Sequence, residues 1–507
     1  MNIFLVYVRD ENYYRLLPER LNKTQASSGR VKMMAFPPLG IQVLAPVLRQ
    51  HGYQVRMFDM CHPEMQAEHI AQAAVAEKPD VIVLSFLSTT TYPTTKDLAR
   101  RLKSAAPNIP IIVGGVFATI NAEHILKECP YIDCVGVGEG EELLPDYLNN
   151  LDDPGQVAGL VWRADGKIIQ NPPRPLIMDL DQFPYPDRIS LPIDYIESLP
   201  LDVPAVLSLD KFCTMQTSRG CPYACIYCDI PFFSQRKVRT RSAAHVLGEM
   251  QQLHDMGYRS VYFTDDHFLL NGKRINEICR GIIERKLEFQ WGCEGRVDSV
   301  AVDQLPIMSQ ANCKFLAFGV ESGSQRVLDR LKKNQTLAEV ERAINEAKRQ
   351  GIKRVHGFFV IGSPDESRED ILASFRFAAK LKLDTFGFNR LCVYRGTPLW
   401  EEYINRGIID DERDWDKWFK CSDIDPTVLP SEEVNSLRMK GYTSLFARRI
   451  FQRPIQTLTL LITFSRHMKI SDIFKLLWSP FQKRVLNRKA NLTARMEDLG
   501  LTGAQAK

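Results

Sequence analysis

Hydrophobic residues recur in short runs along the first part of the chain, and stretches with helical spacing lie between the runs. Five runs predict buried strands, at Ile3–Val8, Gln54–Asp59, Val81–Ser85, Ile111–Val113 and Cys134–Gly136. Strands that alternate with helices are typical of a doubly wound parallel sheet, whose ligands bind beyond the carboxyl ends of the strands. Residues 1–150 are therefore predicted to form one α/β domain with a ligand at that edge.

A second series of the same kind follows a proline-rich segment. Residues 151–205 show little periodicity and are predicted to be a linker, with a hairpin at Asp165-Gly166. Six further strands are predicted at Cys213–Thr217, Ser260–Thr264, Phe289–Glu294, Phe315–Val320, Arg354–Ile361 and Thr385–Val393. Six βα units predict an incomplete parallel barrel over residues 206–405. Residues 406–507 are predicted to form a basic, α-helical C-terminal region.

The charges are spread unevenly along the chain. Between Val434 and Ala490 there are twelve basic residues and a single acid, so the remainder of the chain is net acidic. An acidic body argues against nucleic acid as a partner. No apolar run approaches the roughly 18 residues of a membrane span, and no signal-peptide pattern precedes the first strand. We therefore expect a cytoplasmic protein.

The chemistry-bearing cysteines follow the first strand of the second series. Cys221, Cys225 and Cys228 lie within eight residues, so a loop this compact can turn all three sulfurs toward one iron–sulfur cubane. The fourth iron then has no local cysteine and can hold a substrate. A zinc knuckle is the alternative, but it needs a fourth ligand, and the nearest histidines, His245 and His254, lie on a predicted helix.

The spacing Cys-x-x-x-Cys-x-aromatic-Cys, with Tyr227 as the aromatic residue, resembles the signature of the radical S-adenosylmethionine (SAM) superfamily. The resemblance covers roughly residues 210–400 and implies a 4Fe-4S cluster and SAM as cofactors. It also implies cofactor contacts at Tyr227 and at later strand ends, at Asp265, Glu321, Ser322 and Gly362. Arg239 is a further candidate for the SAM carboxylate or the substrate, against the alternative of an ordinary surface ion pair.

Small and hydroxylic residues stand at the strand ends of the first domain. They are Ser85, Leu87, Ser88 and Thr89 after the third strand, Gly114 and Gly115 after the fourth, and Gly138 and Glu139 after the fifth. Such residues let the backbone approach a nucleotide-like tail. A Ser-x-Leu element followed by Gly-Gly resembles the cobalamin-binding domain, which implies cobalamin as a cofactor. A flavodoxin-like or phosphate-binding domain without cobalt is the alternative.

The histidine that replaces the lower axial base in some cobalamin domains has no counterpart here. Those domains carry Asp-x-His-x-x-Gly, whereas this chain has Asp59-Met60-Cys61-His62-Pro63. His62 is displaced by one position and no matching glycine follows it. We therefore predict that the protein supplies no imidazole to cobalt.

Together the two resemblances imply a cobalamin-dependent radical SAM C-methyltransferase. In such enzymes a cluster reduced by a flavodoxin or ferredoxin cleaves SAM, the resulting radical removes hydrogen from an unreactive carbon, and methylcobalamin supplies the methyl group. The alternatives are an oxidative cyclase that acts on a tetrapyrrole and a methylase of an antibiotic or peptide precursor. A methylthiotransferase that modifies RNA and a cobalamin sensor fit the residues less well.

The C-terminal region bears on the substrate. Between Leu445 and Leu486 basic residues alternate with apolar and aromatic ones, a pattern that favours binding to an anionic membrane surface. The alternative is that these helices cap the barrel and bury their apolar faces. The membrane interpretation predicts a lipophilic small-molecule substrate, and the layout then resembles the hopanoid methylases.

Overall fold

The computed structural model describes residues 1–9, 38–62, 65–191, 212–299, 304–416 and 429–452. Residues 1–438 form one compact unit, and residues 439–507 form another. Of the second unit, the structure describes the end of one helix. Most of the basic tail, from residue 453 onward, lies outside the described residues, and the predictions about it stay predictions.

The first unit begins with a parallel sheet in which a helix follows each strand. Its strands are β1 (Asn2–Tyr7), β2 (Gln54–Asp59), β3 (Val81–Ser85), β4 (Ile111–Gly114) and β5 (Cys134–Gly136), in the order β2-β1-β3-β4-β5. The order reverses between β1 and β3, which is the point where doubly wound sheets bind ligands. The predicted doubly wound fold is confirmed.

Helices cover both faces of this sheet. They are α1 (Leu39–Gln50), α2 (Ala67–Glu77), α3 (Tyr92–Ala105), α4 (Val116–Ile120), α5 (Ala122–Glu128) and α6 (Gly140–Asn149). Alternate residues of β1 enter two separate cores, with Phe4 and Val6 in one and Ile3 and Leu5 in the other. Burial on both faces is the reason why the strand is a continuous apolar run.

A hairpin extends the first sheet beyond residue 150. Strands β6 (Leu160–Ala164) and β7 (Lys167–Gln170) are antiparallel, and β6 pairs with β5. The predicted turn is present, with Asp165 and Gly166 both at positive φ, 49° and 73°. Two successive positive φ values match the right-handed twist of the flanking strands, and Asp-Gly is a sequence that adopts them readily.

The second sheet has six parallel strands. In chain order, the strands of this region are β8 (Phe212–Met215), β9 (Ser218–Arg219), β10 (Arg239–Thr240), β11 (Ser260–Phe263), β12 (Gln290–Gly295), β13 (Cys313–Glu321), β14 (Arg354–Ile361) and β15 (Thr385–Arg390). The sheet has the sequential order β15-β14-β13-β12-β11-β8, whereas β9 and β10 pair only with each other. This confirms the predicted partial barrel.

Helices flank the second sheet. They are α7 (Ile230–Ser234), α8 (Ala243–Asp255), α9 (Gly272–Glu284), α10 (Gln304–Gln310), α11 (Gln325–Arg330), α12 (Leu337–Arg349), α13 (Arg368–Lys380), α14 (Pro398–Asn405), α15 (Asp411–Asp414) and α16 (Ser431–Gln452). Capping boxes begin α12 at Thr336 and α13 at Ser367. None of the described helices is long and apolar enough to cross a membrane.

After the barrel the chain returns to the first domain, which the sequence did not predict. Trp415 packs with Tyr92 and Phe117, at ring-centroid distances of 5.4 and 6.3 Å. Arg395 donates to the carbonyl of Ile120 at 3.0 Å and is paired with Asp411. The two domains of this unit are therefore packed together at a second point beyond the linker.

Candidate functional site

A buried aspartate holds the start of the cysteine loop. The Asp265 carboxylate accepts hydrogen bonds from the Thr217 backbone N–H at 2.5 Å, from the Thr217 hydroxyl at 2.5 Å and from the Ser218 hydroxyl at 2.7 Å. Asp265 stands at the end of β11, next to β8, so it ties two neighbouring strand ends together. Its lone pairs are largely occupied, and a contact between Asp265 and SAM stays a prediction.

Gly220 begins the loop in a tight backbone turn. Its N–H donates to Asp266 Oδ2 at 2.6 Å, and its φ is +92°. A Cβ atom there would stand 2.1 Å from the carbonyl oxygen of Lys237, which lies at the far end of the same loop. Only glycine fits, because the side chain of any other residue would overlap that oxygen.

The three cysteines of the loop are free thiols. Burial raises the pKa of Cys221 and raises that of Cys228 to about 12, so these groups ionise only beside a strong positive charge. In the described part of the chain, no three His, Cys, Asp or Glu side chains are grouped as the ligands of one metal ion. A cubane would take each thiolate on a different iron, and the assignment of these three cysteines to one cluster stays a prediction.

An arginine lies against the middle cysteine. Arg296 approaches Cys225 Sγ with its NH1 at 3.5 Å, and its guanidinium lies 3.7 Å from the ring centre of Tyr223. Asp298 fixes the guanidinium with two hydrogen bonds of 2.9 Å. A buried cation beside a cluster thiolate balances the negative charge of the ligand set, so this arrangement also fits an iron–sulfur cluster.

Tyr227 and Glu321, which were predicted separately, are brought together by the fold. Tyr227 is hydrogen-bonded to Glu321, and burial together with that carboxylate raises the Tyr227 pKa well above its usual value. Lys333 Nζ donates to Glu321 Oε1 at 2.7 Å, and both side chains are buried. Glu321 has a φ of +63°, in the left-handed region that non-glycine residues seldom adopt. The three residues form a polar cluster beside the cysteine loop.

Two other residues expected to contact SAM have partners within the protein. The Ser322 hydroxyl lies 3.1 Å from that of Ser374 and accepts from the Ser324 N–H at 3.1 Å. Gly362 donates its N–H to Glu366 Oε2 at 2.6 Å, and burial raises the pKa of that carboxyl to about 7. These bonds shape the strand ends of β13 and β14, and direct contacts with SAM stay predictions.

The strand ends of the first domain carry Leu87, Gly115 and Gly138 at one edge of the sheet, and we call this edge the cradle. Gly115 has a φ of +111°, and a Cβ atom there would stand 2.1 Å from the Phe86 carbonyl oxygen. Gly138 also has positive φ, and no atom would lie within 4 Å of its Cβ. Leu87 exposes 56% of its surface at the same edge. An exposed apolar side chain and an unobstructed glycine at this edge are compatible with a large, partly apolar ligand such as cobalamin.

Hydroxyl groups line the cradle next to Leu87. Ser88 Oγ lies 2.9 Å from the hydroxyls of both Thr90 and Thr91, in the short helix that follows Ser85. Thr89, although predicted to contact the cofactor, is itself buried. Gly114 ends β4 directly beside Ser85, its partner in β3. The predicted cobalamin-site residues therefore share one edge of the sheet, and their individual contacts stay predictions.

Glu139 and Arg239, both predicted to bind cofactors, are paired with each other. Arg239 NH1 lies 2.6 Å from Glu139 Oε2 and also donates to the Ile177 carbonyl at 2.9 Å. Arg219 NH1 lies 2.7 Å from Glu139 Oε1, and its NH2 contacts Glu141. The two arginines hold the pKa of Glu139 below its usual range against the effect of burial. A role for either residue in contacting a cofactor stays a prediction.

Sequence reasoning missed Lys333 and the significance of Arg219. Lys333 lies in the turn after α11, where no motif distinguishes it from its exposed neighbour Lys332. Arg219 stands two residues before the first cysteine, and that position was the only available signal. A lysine buried beside a carboxylate becomes recognisable only when the strand end of β13 is placed next to it.

Comparison with known proteins gives matches in both halves of the chain. Residues 34–148 match the B12 binding domain family, and residues 215–378 match the Radical SAM superfamily. An uncharacterised methyltransferase of Pyrococcus horikoshii is 31% identical over 436 residues, which cover 84% of this chain and 92% of that protein.

More distant relatives have named reactions. The anaerobic magnesium-protoporphyrin IX monomethyl ester cyclase of Rubrivivax gelatinosus is 26% identical over 82% of this chain and 75% of its own. The hopanoid C-3 methylase of Methylococcus capsulatus is 26% identical over 66% of this chain and 62% of its own.

A solved structure shows the same fold. The cobalamin-dependent S-adenosylmethionine radical enzyme OxsB, with aqua-cobalamin and S-adenosylmethionine bound, is similar with a TM-score of 0.67 at 16% identity, over 99% of this chain and 82% of that one. With both domains matched in this order and a relative that spans most of the chain, the protein belongs to the cobalamin-dependent radical SAM enzymes, whose cofactors are a 4Fe-4S cluster, SAM and cobalamin.

Proposed function

We propose that this enzyme methylates an unactivated carbon of a lipophilic substrate, with a hopanoid-like polycyclic hydrocarbon as the leading example. The supporting observation is a row of rings on the inner face of the barrel sheet. Tyr262 lies 5.8 Å from Phe315, Phe315 lies 6.3 Å from His356, and His356 lies 4.5 Å from Phe358, measured between ring centroids. The rings stand on β11, β13 and β14, and the row passes over Gly292 of the intervening strand β12.

The opposite face of the same sheet packs on the helices. Phe359 and Phe388 stack at 4.5 Å, and Phe388 lies 4.3 Å from Phe375 of α13. Since side chains alternate between the two faces of a strand, Phe358 and His356 point away from the helices. The row of rings therefore lies on the inner face of the barrel sheet, and its half-buried member, Phe358, is the ring available to a substrate bound at the strand ends.

Small residues lie beside the rings. Ala317 pairs with His356 in register, and Gly319 and Gly387 flank Phe358 on its two sides. Burial keeps His356 neutral at pH 7 by lowering its pKa to about 4. A broad apolar wall with few charges favours a flat hydrocarbon skeleton over a highly charged substrate.

The protein's own part in the reaction is to position the cofactors and the substrate and to exclude water. Arg296 and Asp298 hold the charge beside Cys225, and the buried Tyr227, Glu321 and Lys333 fix the adjacent strand end. The bound cofactors supply the radical and methyl-transfer chemistry. The aromatic wall would hold the substrate carbon in place while solvent stays out.

Ring formation in a tetrapyrrole is the second candidate, because the cyclase is similar over more of the chain than the hopanoid methylase. A planar tetrapyrrole would also stack on the ring row. Methylation of an antibiotic or peptide precursor fits the fold equally but fits the apolar wall less well.

Deletion of the gene in its host, followed by mass spectrometry of extracted lipids and pigments, tests this proposal. We expect a lipid that is heavier by one CH2 group to disappear and its unmethylated parent to accumulate. Restoring the gene on a plasmid is the control. If the lipids are unchanged and a pigment changes without gaining or losing a carbon atom, the enzyme would instead be assigned to ring formation.

His62 provides a separate test of the cobalamin site. It lies three residues beyond the end of β2, and we expect it not to ligate cobalt. The electron paramagnetic resonance spectrum of the Co(II) form should show no nitrogen splitting from the protein, and His62→Ala should leave the spectrum unchanged. Splitting that vanishes in His62→Ala would contradict this prediction.

We also propose that the basic tail attaches the enzyme to the surface of an anionic membrane, where a lipophilic substrate resides. The support is the alternation of basic and apolar residues between Leu445 and Leu486. Nearly all of this segment lies outside the described residues.

A further inference from the structure

One carboxylate connects the two cofactor-binding domains. Glu139 follows β5 of the first domain, whereas its partners Arg219 and Arg239 belong to the barrel domain. The backbone N–H of Ile177, in the segment between the domains, donates to the same carboxylate at 3.0 Å. Three parts of the chain therefore meet at this side chain.

The two arginines stand at the two ends of the cysteine loop. Arg219 in β9 and Arg239 in β10 are directly opposite each other in an antiparallel pair. Residues 220–238, including all three cysteines, run from one arginine to the other. Glu139 binds one arginine with each of its oxygens, so it holds the base of the loop closed from the cobalamin side.

On its own domain, Glu139 belongs to the turn that forms part of the cradle. Gly138, the preceding residue, has open space where a side chain would stand, and its N–H donates to Thr119 at 3.1 Å. A ligand that orders this turn also orders Glu139. Conversely, a cluster that orders the loop fixes Arg219 and Arg239.

The ion pair between Glu139 and Arg239 is largely shielded from solvent. The side chains of Glu139 and Arg239 are 18% and 4% exposed. Charges held at such depth are weakly screened, and loss of one partner leaves the other charges buried and unpaired. The loss of one partner should therefore disturb the whole network.

Other contacts also hold the two domains together. Buried Arg188 donates to Gln42 Oε1 of α1 at 3.1 Å, to the Thr214 carbonyl at 2.6 Å and to Glu249 at 3.2 Å. Trp415 is anchored in the core of the first domain. Loss of Glu139 should therefore disturb the loop and the turn without separating the domains.

We propose that Glu139 is a positioning residue that couples cobalamin binding in the first domain to cluster loading on the cysteine loop. Since such coupling is reciprocal, each cofactor should tighten the binding of the other by the same factor. The inference does not depend on which substrate is methylated.

The test measures hydroxocobalamin affinity by anaerobic absorbance titration, with cluster-loaded protein and with protein freed of iron by a chelator. We expect loaded wild-type protein to bind about tenfold more tightly than cluster-free protein, which is within the usual range for coupled sites. In Glu139→Gln this ratio should fall to about one, and the loaded variant should bind about as weakly as cluster-free wild type.

Conservative variants distinguish positioning from a general loss of stability. Arg239 makes both of its bonds through NH1, so a lysine nitrogen can replace it, and Arg239→Lys should keep most of the coupling whereas Arg239→Met should lose it. Arg219 uses three different nitrogens, for Gln216, Glu139 and Glu141, so Arg219→Lys should lose coupling.

Glu142→Gln is the matched control. Glu142 stands in the first turn of α6, three residues after Glu139, but it is exposed and lies 3.9 Å from Arg174, so its replacement should leave the ratio as in wild type. A wild-type ratio in Glu139→Gln would overturn the proposal, as would a ratio of one in wild type. If wild-type protein did not bind hydroxocobalamin, the prediction of a cobalamin site at the cradle would be wrong as well. Failure of the lipid test would contradict the proposed substrate but not the proposed coupling.

Discussion

Replacement of Cys225 by alanine is expected to remove the iron–sulfur cluster and with it all activity, while the protein stays folded. The loop is predicted to supply three thiolates for three irons, and a cubane held by only two of them should dissociate or degrade. Cys225 lies in a loop rather than in a sheet, so its loss leaves the strand pairing intact. Iron and sulfide analysis after anaerobic reconstitution should give about four irons per chain for wild type and close to none for the variant.

Cys279→Ala is the matched control for this experiment. Cys279 is a fully buried free thiol on α9, on the outer side of the barrel. Its replacement should cost about 1 kcal/mol of stability and leave the iron content unchanged. A full cluster in Cys225→Ala would show that the cluster ligands have been assigned wrongly.

Gly220→Ala should be nearly as damaging, although it removes no ligand. The added Cβ would stand 2.1 Å from the Lys237 carbonyl oxygen, and a φ of +92° adds strain for any non-glycine residue. Strain of this kind costs about 1–3 kcal/mol, and the steric overlap adds to it. The base of the cysteine loop must then open. We expect a cluster that assembles poorly, measured as iron content and as the cluster absorbance of reconstituted protein.

Gly166→Ala is the control that introduces backbone strain without a steric overlap. Gly166 also has positive φ, +73°, but no atom lies within 4 Å of its Cβ position. We expect a loss of about 1–2 kcal/mol in the free energy of unfolding and normal cluster assembly. If Gly220→Ala took up iron as fully as Gly166→Ala does, close packing of the two loop ends would be unimportant.

These experiments address the cysteine loop, whereas the Glu139 variants address its connection to the first domain. In Glu139→Gln the cluster should remain and the cofactor coupling should be lost, but in Gly220→Ala the cluster itself should be lost. The two results together would separate formation of the metal site from its communication with the cobalamin cradle.

Local patterns in the sequence were sufficient to predict both sheets, and local spacing alone also gives the prediction of the cluster ligands. Apolar runs such as Ile3–Val8 become buried strands because a strand covered on both faces must be apolar throughout. The cysteines lie within eight residues, so their grouping needs no long-range contact. The hairpin at Asp165-Gly166 is likewise fixed by two adjacent residues with positive φ.

The tertiary structure alone decided which polar groups meet. Glu139 and Arg239 are 100 residues apart in the chain, so each was interpreted as a separate ligand contact until the fold paired them. Sequence patterns likewise did not predict the ion pair between Lys333 and Glu321 or the return of Trp415 to the core of the first domain. Sequence patterns report which faces are buried, because burial selects residue types position by position. The partner of a buried charge is set by how strand ends and loops from distant segments are placed in space, which no local pattern records.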